Sequence, residues 1–464
     1  MFRLMDQGSS LCDGLPRREL LRIGGIGLGG LSMGSLLESR VADAAARGSF
    51  GRAKSVILFG LVGGTPQHES WDPKPDAPAE IRGDFGLIDS ATPGLRVGEL
   101  MPQTSKMTDK IAVLRAVVSG DNSHSSSGYQ MMTGIPHQPL NRESALPKPP
   151  NDWPNIGAVV RALQDGPGKL PAAITLPEHI WNDGNFPWPG QDAGFLGRRY
   201  DPWLIHCQPQ EDHFDFPGLA RGADLPSIRL DQRRTLLDQM NAAYRRLEEG
   251  AAVGGYSLHA RKAMDLLSGS QARAAFDLRQ ERPETRARYG MGRFAQSCLL
   301  ARRLVESGVS LVQVNWTRIK GYENQGGWDT HKKHSESLKT LLMPRMDQCF
   351  TALLEDLEQR GLLDETLVVW LSEFGHTPRI NGNAGRDHWG HVYSLALAGG
   401  GIRGGTVHGV SDGHAAYAVD GMVRPRDLIA TVFHCLGYPP DAEVRDPLGR
   451  PLAISRGRVI DEIL

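Results

Sequence analysis

The sequence predicts an α/β fold with a mainly parallel sheet, and three observations support this prediction. Four continuous apolar runs have the length of strands that are buried on both faces, at 55–62, 111–118, 309–316 and 367–371. Apolar residues at spacings of three and four between or beside these runs predict amphipathic helices at 230–247, 296–307 and 338–360. Each apolar run is followed by a loop that carries His, Asp or Glu.

Length and composition limit the function classes. The 464 residues fit one large α/β domain with an insertion. The formal net charge of -1 argues against a nucleic-acid partner and against binding to an anionic membrane surface. The 5 cysteines include no CxxC pair, which excludes a zinc ribbon and a disulfide scaffold. The glycine run at 399–405 lacks the Gly-Lys-Ser/Thr of a P-loop.

The first 46 residues have the order of basic, apolar and small residues that is typical of a signal peptide. The pair Arg17-Arg18 precedes a glycine-diluted apolar stretch at 23–37, and small residues follow at 42–46. A membrane anchor is the alternative, but the stretch is shorter than the ~20 residues needed to span a bilayer. The paired arginines therefore predict the twin-arginine translocase as a partner, no stable membrane span, and a location in the periplasm or at the cell surface.

Residues 47–464 form the predicted mature domain, and its segment 135–230 has a different composition. Prolines are frequent there, which predicts a loop-rich insertion with little regular structure. The segment carries four tryptophans, which have two interpretations: they line a substrate cleft, or they pack a subdomain of short elements. The four are Trp153, Trp181, Trp188 and Trp203.

The loops after the apolar runs carry side chains that suit a metal or phosphoryl site. In an open α/β sheet, ligands bind at the carboxyl ends of the strands, so these loops predict a single site at one edge of the sheet. For Glu373, the alternative is a helix cap followed by a surface loop. The side chains concerned are Gln67, His68 and Glu69 in the first loop, His124 in the second, Asp329 and His331 in the third, and Glu373, Asp387 and His388 in the fourth.

Several longer motifs identify a family. They are GGTPQHESWDPKP (63–75), APAEIRGDF (77–85), DNSHSSSGYQMMTGIPH (121–137), NDWPNIGAVV (151–160), RLDQRRTLLDQ (229–239), ARRLVESGV (301–309), WDTH (328–331), GLLDETLVVWLSEFGHTP (361–378) and GRDHW (385–389). With these motifs the chain resembles the DUF1501 proteins, twin-arginine-exported bacterial proteins that are similar to sulfatases and to the alkaline phosphatase superfamily. The resemblance implies a three-layer α/β sandwich of the alkaline-phosphatase and sulfatase type.

The same resemblance implies a chemistry. The superfamily uses one or two divalent cations and a nucleophile to hydrolyse phosphate or sulfate esters, so the expected cofactor is one or two of Zn, Ca, Mg or Mn. The expected substrate is a small-molecule or glycan ester. By position in the motifs, the implied metal ligands are Glu373, Asp329, His331, His388 with Asp387, and Glu69 with Gln67 or His68 beside it.

The chain departs from the superfamily pattern at the nucleophile. That position is His124, the first strand ends in Gly63-Gly64 rather than in aspartates, and no sulfatase cysteine motif is present. Three alternatives follow: a neighbouring hydroxyl attacks, His124 is itself a ligand or nucleophile, or the chain has lost hydrolysis. The candidate hydroxyls are Ser123, Ser125 and Ser126, and the candidate substrate-binding groups are Lys74, Arg386 and Asn122.

Two functional hypotheses remain. The first is an exported metal-dependent hydrolase of phosphate or sulfate esters. The second is a non-catalytic protein on the same fold that holds a sulfated or phosphorylated glycan. The first is favoured because metal ligands buried without a metal would be costly unpaired charges. A Ser-His-Asp hydrolase is disfavoured because residues 124–128 lack the G-x-S-x-G turn.

Overall fold

An eight-stranded sheet forms the centre of the protein. The structure, a computed structural model, describes residues 48–164, 170–182, 186–211 and 274–464. Numbered along the chain, the strands of the central sheet are β1 (Ser55–Gly60), β2 (Ile111–Val117), β3 (Ala173–Leu176), β4 (Trp203–Leu204), β5 (Leu311–Asn315), β6 (Thr366–Leu371), β7 (Tyr393–Ala398) and β8 (Thr406–His408).

The spatial order of the strands is β8-β2-β7-β6-β1-β5-β3-β4. Every neighbouring pair is parallel except the two that involve β7, which runs antiparallel to both β6 and β2. The prediction of a mainly parallel sheet is therefore confirmed, with one reversed strand inside it.

Helices cover both faces of the sheet. They are α1 (Ala79–Arg82), α2 (His124–Thr133), α3 (Ile156–Gln164), α4 (Pro283–Tyr289), α5 (Arg293–Glu306), α6 (His334–Ser337), α7 (Met343–Gln359) and α8 (Pro425–Cys435), and a π-helical segment, Leu338–Leu342, joins α6 to α7. Short 3₁₀ segments lie at Thr104–Lys110, Gly194–Leu196, Arg198–Tyr200, Leu278–Gln280, Glu323–Gly326, Leu363–Glu365 and Asp461–Ile463.

Five two-stranded ribbons complete the described elements. They pair Leu87–Asp89 with Arg96–Gly98, Trp181–Asn182 with Phe186–Pro187, Gly375–His376 with His388–Trp389, Val410–Ser411 with Ala418–Asp420, and Glu443–Arg445 with Pro451–Ala453. Among the described residues, no helix is long and apolar enough to cross a membrane.

The central strands are apolar at every position because both faces of the sheet are buried. In β6, Val368 and Trp370 join the core that packs under α5 and α7, whereas Leu367 and Val369 join the opposite core under α3 and α8. Side chains alternate across a strand, so a strand buried on both faces must be apolar throughout. The two cores establish three layers, as the family resemblance implied.

The segment 135–230 contributes several short elements to the fold. Its described residues include α3, and β3 and β4 form one end of the central sheet. The expectation of a loop-rich insertion stays a prediction, and the described residues of the segment lie mostly between these short elements. The predicted helix at 230–247 and the predicted signal peptide at 1–46 lie outside the described residues.

The reversed strand β7 determines where the last loop of the site lies. Gly60 of β1 is in register with Leu371 of β6 and with Asn315 of β5, so these carboxyl ends share one edge of the sheet. Because β7 runs the other way, its first residue, Tyr393, pairs with Val117 at the end of β2. The loop that precedes β7 therefore reaches the same edge as the loops that follow the parallel strands.

Candidate metal centre

Five polar side chains converge at the carboxyl edge of the sheet, and we call them the metal cluster. They come from the loops after β2, β5 and β6 and from the loop before β7. Three of them, His124, Asp329 and His388, each place one potential ligand atom within 4.8 Å of the others. The members of the metal cluster are His124, Asp329, His331, Glu373 and His388.

Three donor atoms of the metal cluster form a triangle. The Asp329 Oδ1 atom lies 2.9 Å from His331 Nε2 and 2.9 Å from His388 Nε2. The two imidazole nitrogens lie 3.1 Å apart. Ligand atoms around a tetrahedral ion with bonds of about 2.0–2.1 Å are separated by about 3.3 Å. The triangle thus has nearly the spacing that a single small cation requires.

The outer nitrogens of both imidazoles are engaged, which directs their Nε2 atoms toward the triangle. His388 Nδ1 donates to the carbonyl oxygen of Asn122 at 2.8 Å. His331 Nδ1 lies 2.7 Å from Asp387 Oδ1, and the Asn381 amide donates to the same oxygen at 3.1 Å. Such outer partners fix the tautomer and the ring orientation of a metal-bound histidine.

His124 joins the two carboxylates of the metal cluster. It is the first residue of α2, and its Nδ1 atom lies 2.9 Å from Glu373 Oε1. Its Nε2 atom lies 3.3 Å from Asp329 Oδ2. Glu373 also accepts the Gly63 backbone N–H at 2.8 Å, so the loop after β1 holds the carboxylate that follows β6.

Gly63 permits this close approach of two loops. Its φ of +118° is unfavourable for residues with a side chain. A Cβ atom at this position would lie 2.2 Å from the backbone nitrogen of Asp329. The Gly-Gly that ends the first apolar run is therefore required by the packing of the site.

The proximity of charges changes the ionisation of the metal cluster. Burial would lower the pKa of His124, but the hydrogen bonds with Asp329 and Glu373 outweigh burial and raise it to about 10. The hydrogen bond with Asp329 raises the pKa of His331 to about 9. Burial opposes ionisation of Asp329, yet its hydrogen bonds with the three imidazoles hold its pKa well below the usual range. The metal-free centre therefore attracts protons, as a cation site should.

The donor set fits a divalent transition metal better than it fits calcium or magnesium. Two imidazoles and one carboxylate in the triangle, with His124 adjacent, are the ligands that Zn²⁺ and similar ions prefer. Calcium and magnesium sites are built from oxygen atoms. Of the four metals expected from the sequence, zinc agrees best with these residues.

Two of the predicted site residues form a separate, fully buried ion pair. Glu69 Oε1 accepts from Arg386 Nη2 at 2.6 Å and from Arg386 Nε at 3.0 Å. The remaining Arg386 donors reach the carbonyl oxygens of Ile81, Thr377 and Pro378. All five guanidinium N–H groups are therefore used inside the protein, and the expectation that Arg386 binds substrate is corrected.

Histidines that the sequence analysis did not consider surround this ion pair. His334 Nε2 lies 3.3 Å from Glu69 Oε2, and its Nδ1 lies 2.7 Å from Thr330 Oγ1. The His376 ring lies 5.2 Å from the His334 ring. We call Glu69, His334, His376 and Arg386 the buried cluster. Because Arg386 already neutralises Glu69, Glu69 is not placed as a metal ligand. The expectation that Glu69 binds a metal is therefore also corrected.

Gln67 and His68 stabilise loops and do not contact the metal cluster. The Gln67 side chain donates to the His376 carbonyl at 2.7 Å and accepts its backbone N–H at 2.9 Å. His68 Nε2 donates to the carbonyl of His414 at 2.8 Å, and burial lowers the pKa of His68 to about 4. Backbone hydrogen bonds thus occupy both side chains that were expected to bind metal.

The proposed substrate-binding and nucleophilic groups are also placed by the structure. Lys74 pairs with Asp72 at 2.9 Å. The Asn122 side chain accepts the Gly390 N–H at 2.6 Å, so Asn122 supports the loop of His388. The Ser125 hydroxyl donates to the Glu143 carbonyl and accepts from Asn182 at 2.7 Å, so both of these hydrogen bonds are made within the protein. Ser123 is the residue before α2, and its N–H binds Asp121 at 3.0 Å.

A cleft of about 720 Å³ opens beside the metal cluster. Asp329, His331 and His124 contribute to its wall, together with Trp181 and Trp188. Trp153 instead packs against Phe195, and Trp203 packs against Phe276. One pair of tryptophans thus lines a cleft, and the other pair packs against neighbouring aromatic rings. The sequence did not predict Glu143 and Asn182 as cleft residues, because neither belongs to a recognisable motif.

The fold and the site together define an α/β protein with a candidate metal centre at the carboxyl edge of its sheet. The chain belongs to the family described as "Protein of unknown function (DUF1501)", whose model matches residues 53–464. No curated protein matches the chain by sequence.

Three solved structures are similar to the chain at low identity. The PsFucS1 sulfatase from Pseudoalteromonas sp. is 13% identical with a TM-score of 0.40, covering 86% of this chain and 71% of that chain. The phosphonate monoester hydrolase SpPMH from Silicibacter pomeroyi is 13% identical with a TM-score of 0.38, covering 88% and 76%. The lipoteichoic acid synthase LtaP from Listeria monocytogenes is 11% identical with a TM-score of 0.35, covering 92% and 81%. Similarity of this degree does not assign an activity.

Proposed function

We propose that this protein is an exported, metal-dependent hydrolase of phosphate or sulfate esters. One observation carries the proposal: the donor atoms of Asp329, His331 and His388 form a triangle, and two of these residues, Asp329 and His331, line a cleft large enough for an organic substrate. An ordinary salt bridge pairs one imidazole with one carboxylate. Here two imidazole nitrogens lie 3.1 Å apart and both face the same carboxylate oxygen, and a cation bound by all three atoms explains this arrangement.

The chain's own residues have separate tasks in this proposal. Asp329, His331 and His388 hold the metal, which supplies charge neutralisation and an activated hydroxyl near neutral pH when it is bound. His124 is the side chain best placed to hold or transfer a proton, because its two ring nitrogens contact Asp329 Oδ2 and Glu373 Oε1. The backbone N–H of Gly63 keeps the Glu373 carboxylate in place.

Two basic residues of the cleft support an anionic substrate, although Glu143 and Glu178 line the cleft as well. Arg318 and Lys332 line it, and both are exposed. Cations at the mouth of a cleft attract phosphate or sulfate groups and raise the rate of encounter. The indole groups of Trp181 and Trp188 offer apolar surface to the remainder of the substrate.

Hydrolysis of a panel of p-nitrophenyl phosphate, phosphonate and sulfate esters tests this proposal. The metal-loaded protein should release p-nitrophenol from at least one ester, and a chelator should stop the release. Asp329→Asn should abolish it, whereas Asp364→Asn, at an exposed position before β6, should leave it unchanged. Turnover that is the same with and without Asp329 would contradict the proposal.

A second candidate function is a binding protein that retains the cleft without catalysis. The specific observation in its favour is that His124 occupies the nucleophile position and the Ser125 hydroxyl is hydrogen-bonded elsewhere. This alternative predicts saturable binding of phosphorylated or sulfated glycans by the metal-loaded protein, with no turnover of any ester in the panel. Calorimetric titration with such glycans separates the two functions.

Export by the twin-arginine route is a further part of the proposal, and it rests on the sequence of residues 1–46. Replacing Arg17 and Arg18 by lysine should keep the precursor in the cytoplasm, because the translocase recognises the arginine pair. Cell fractionation measures this. Normal processing of the double variant in the periplasm would contradict twin-arginine export.

A further inference from the structure

A second cavity of about 520 Å³ lies next to the cleft of the metal centre. The two share residues 316–318, which follow β5 and form part of both walls. The second cavity contains no residue of the metal cluster. Its volume is within the range of small-molecule sites in proteins, about 300–1,000 Å³.

The floor of the second cavity is aromatic. The Phe294 and Trp316 rings lie 4.8 Å apart, and both residues are buried. The Trp316 Nε1–H donates to the Gly326 carbonyl at 3.0 Å, so the indole offers its apolar face. Such a floor suits the flat apolar body of an organic ligand.

The rim of the second cavity is positive. Four basic residues line it, and no Asp or Glu is among its lining residues in the described part of the chain. The four are Arg293, Arg318, Lys320 and Arg345. An apolar floor with a rim of one charge sign selects a ligand that is apolar and oppositely charged.

Two of these cations lack a carboxylate partner within the described ranges. Neither Lys320 nor Arg345 has an ion pair or hydrogen bond there, and Arg345 lies 5.9 Å from the centroid of the Tyr322 ring. By contrast, Lys332 in the neighbouring cleft pairs with Glu323 at 3.1 Å. Arg293 is also paired, with Glu178 at 2.9 Å. The charges of Lys320 and Arg345 are therefore available to a ligand.

The amino end of α5 adds to the positive character of the second cavity. Its first residues, Arg293, Phe294 and Ala295, line the second cavity. The helix has no side-chain cap and no acidic residue in its first turn. The free backbone N–H groups of a helix amino end attract anions, in the same direction as the basic rim.

We propose that the second cavity binds an organic anion: a carboxylate, sulfonate or phosphate attached to a flat apolar group. The apolar group lies on Phe294 and Trp316, and the acid group is held by Arg345 and Lys320. This site is distinct from the metal centre and does not depend on the proposed hydrolase activity.

The fluorescent sulfonate 8-anilinonaphthalene-1-sulfonate tests this proposal with the full chain. It should bind at one site per chain, and about tenfold more tightly than N-phenyl-1-naphthylamine, which is the same molecule without the sulfonate. The double substitution Arg345→Gln with Lys320→Gln should weaken the sulfonate by about tenfold or more and leave the neutral probe unchanged. Lys339→Gln, at an exposed position outside the cavity, is the control.

Two substitutions of one residue at the mouth of the second cavity separate the effect of charge on ligand binding from the effect of side-chain size. Met291 lines the second cavity and is 52% exposed, so both variants should fold, which circular dichroism verifies. Met291→Glu should weaken the sulfonate by about fivefold or more, whereas the similar-sized Met291→Gln should not. Equal affinity of the two variants for the sulfonate, or equal affinity of the parent for both probes, would overturn the proposal.

Discussion

The metal cluster and the buried cluster both combine carboxylates with histidines and share the loops after β5 and β6, yet their structures differ. In the metal cluster, Asp329 faces imidazole nitrogens at 2.9 Å and no Lys or Arg pairs with it among the described residues. In the buried cluster, Glu69 faces the Arg386 guanidinium at 2.6 Å. Asp329 can therefore bind a metal ion, whereas Glu69 is already neutralised by Arg386.

His331 and His334 show the same difference within one short segment. His331 is 45% exposed at its side chain and directs Nε2 to the triangle, whereas His334 is 1% exposed and contacts Glu69. The Arg386 backbone N–H donates to the Thr330 carbonyl at 3.1 Å, which joins the two clusters through adjacent residues. The buried cluster thus holds the loops that carry the metal cluster in position.

The largest expected effect is on stability and comes from the buried cluster. Arg386→Met leaves Glu69 buried with His334 as its remaining close partner, which should lower the free energy of unfolding by about 3–5 kcal/mol. Urea denaturation of chelator-treated protein measures this. The double variant Arg386→Met with Glu69→Leu should recover most of the loss, since an apolar pair can replace a buried ion pair. A loss below about 1 kcal/mol in the single variant would contradict the comparison.

The metal cluster and His68, which lies beside the buried cluster, should respond to pH in opposite directions. His124 and His331 have pKa values raised to about 10 and about 9, above the unfolded value near 6.5. Their contribution to stability is present below about pH 6.5 and is lost as the pH rises through 9 and 10. The pKa of His68, beside the buried cluster, is lowered to about 4, so stability should fall as the pH falls from 6.5 toward 4.

Melting temperatures of chelator-treated protein between pH 4 and pH 10 measure both trends. His124→Gln should flatten the alkaline fall only, and His68→Gln should flatten the acid fall only. The His68→Gln variant retains a donor for the His414 carbonyl, which His68 contacts at 2.8 Å. An alkaline fall that His124→Gln leaves intact would show that His124 is not held by the two carboxylates.

A smaller effect is expected from Glu373, which contacts the triangle only through His124. Glu373→Gln keeps an oxygen for the Gly63 N–H but removes the charge, so metal affinity should fall by about 10–100-fold. Competition with a chromophoric chelator measures the affinity. Glu443→Gln, at an exposed position, should bind metal as the parent does. An unchanged affinity in Glu373→Gln would place Glu373 outside the metal cluster.

The smallest effect is expected at Lys74, because its partner Asp72 lies outside both clusters. Lys74→Gln should change neither the metal affinity nor the KM for any ester that the protein hydrolyses. A KM that rises tenfold or more would restore Lys74 as a substrate-binding residue.

Much of the fold could be predicted from the sequence because the strands of a doubly covered sheet must be apolar. The runs at 55–62 and 367–371 contain β1 and β6 almost at their observed limits. The direction of β7 could not be predicted, since a buried strand has the same composition in either direction. Its reversal nonetheless decides that His388 reaches the carboxyl edge.

The candidate site could be predicted only as a set of loops. Because Asp329, His388 and Glu69 lie in loops next to predicted strands, the sequence placed them correctly at one edge of the sheet. The local sequence does not distinguish a carboxylate that binds a metal from one that pairs with an arginine. Arg386 determines the difference, and it is 317 residues from Glu69 in the chain. The role of Asn122 was also hidden, because its backbone carbonyl rather than its side chain binds His388.

The most direct test is a titration of Zn²⁺ and Mn²⁺ into chelator-treated parent, Asp329→Asn and Glu69→Gln proteins, with bound metal measured by elemental analysis. The account predicts at least one tightly bound equivalent per chain in the parent, its loss in Asp329→Asn, and its retention in Glu69→Gln. Retention of the metal in Asp329→Asn together with its loss in Glu69→Gln would show that the buried cluster is the metal site and would contradict the account.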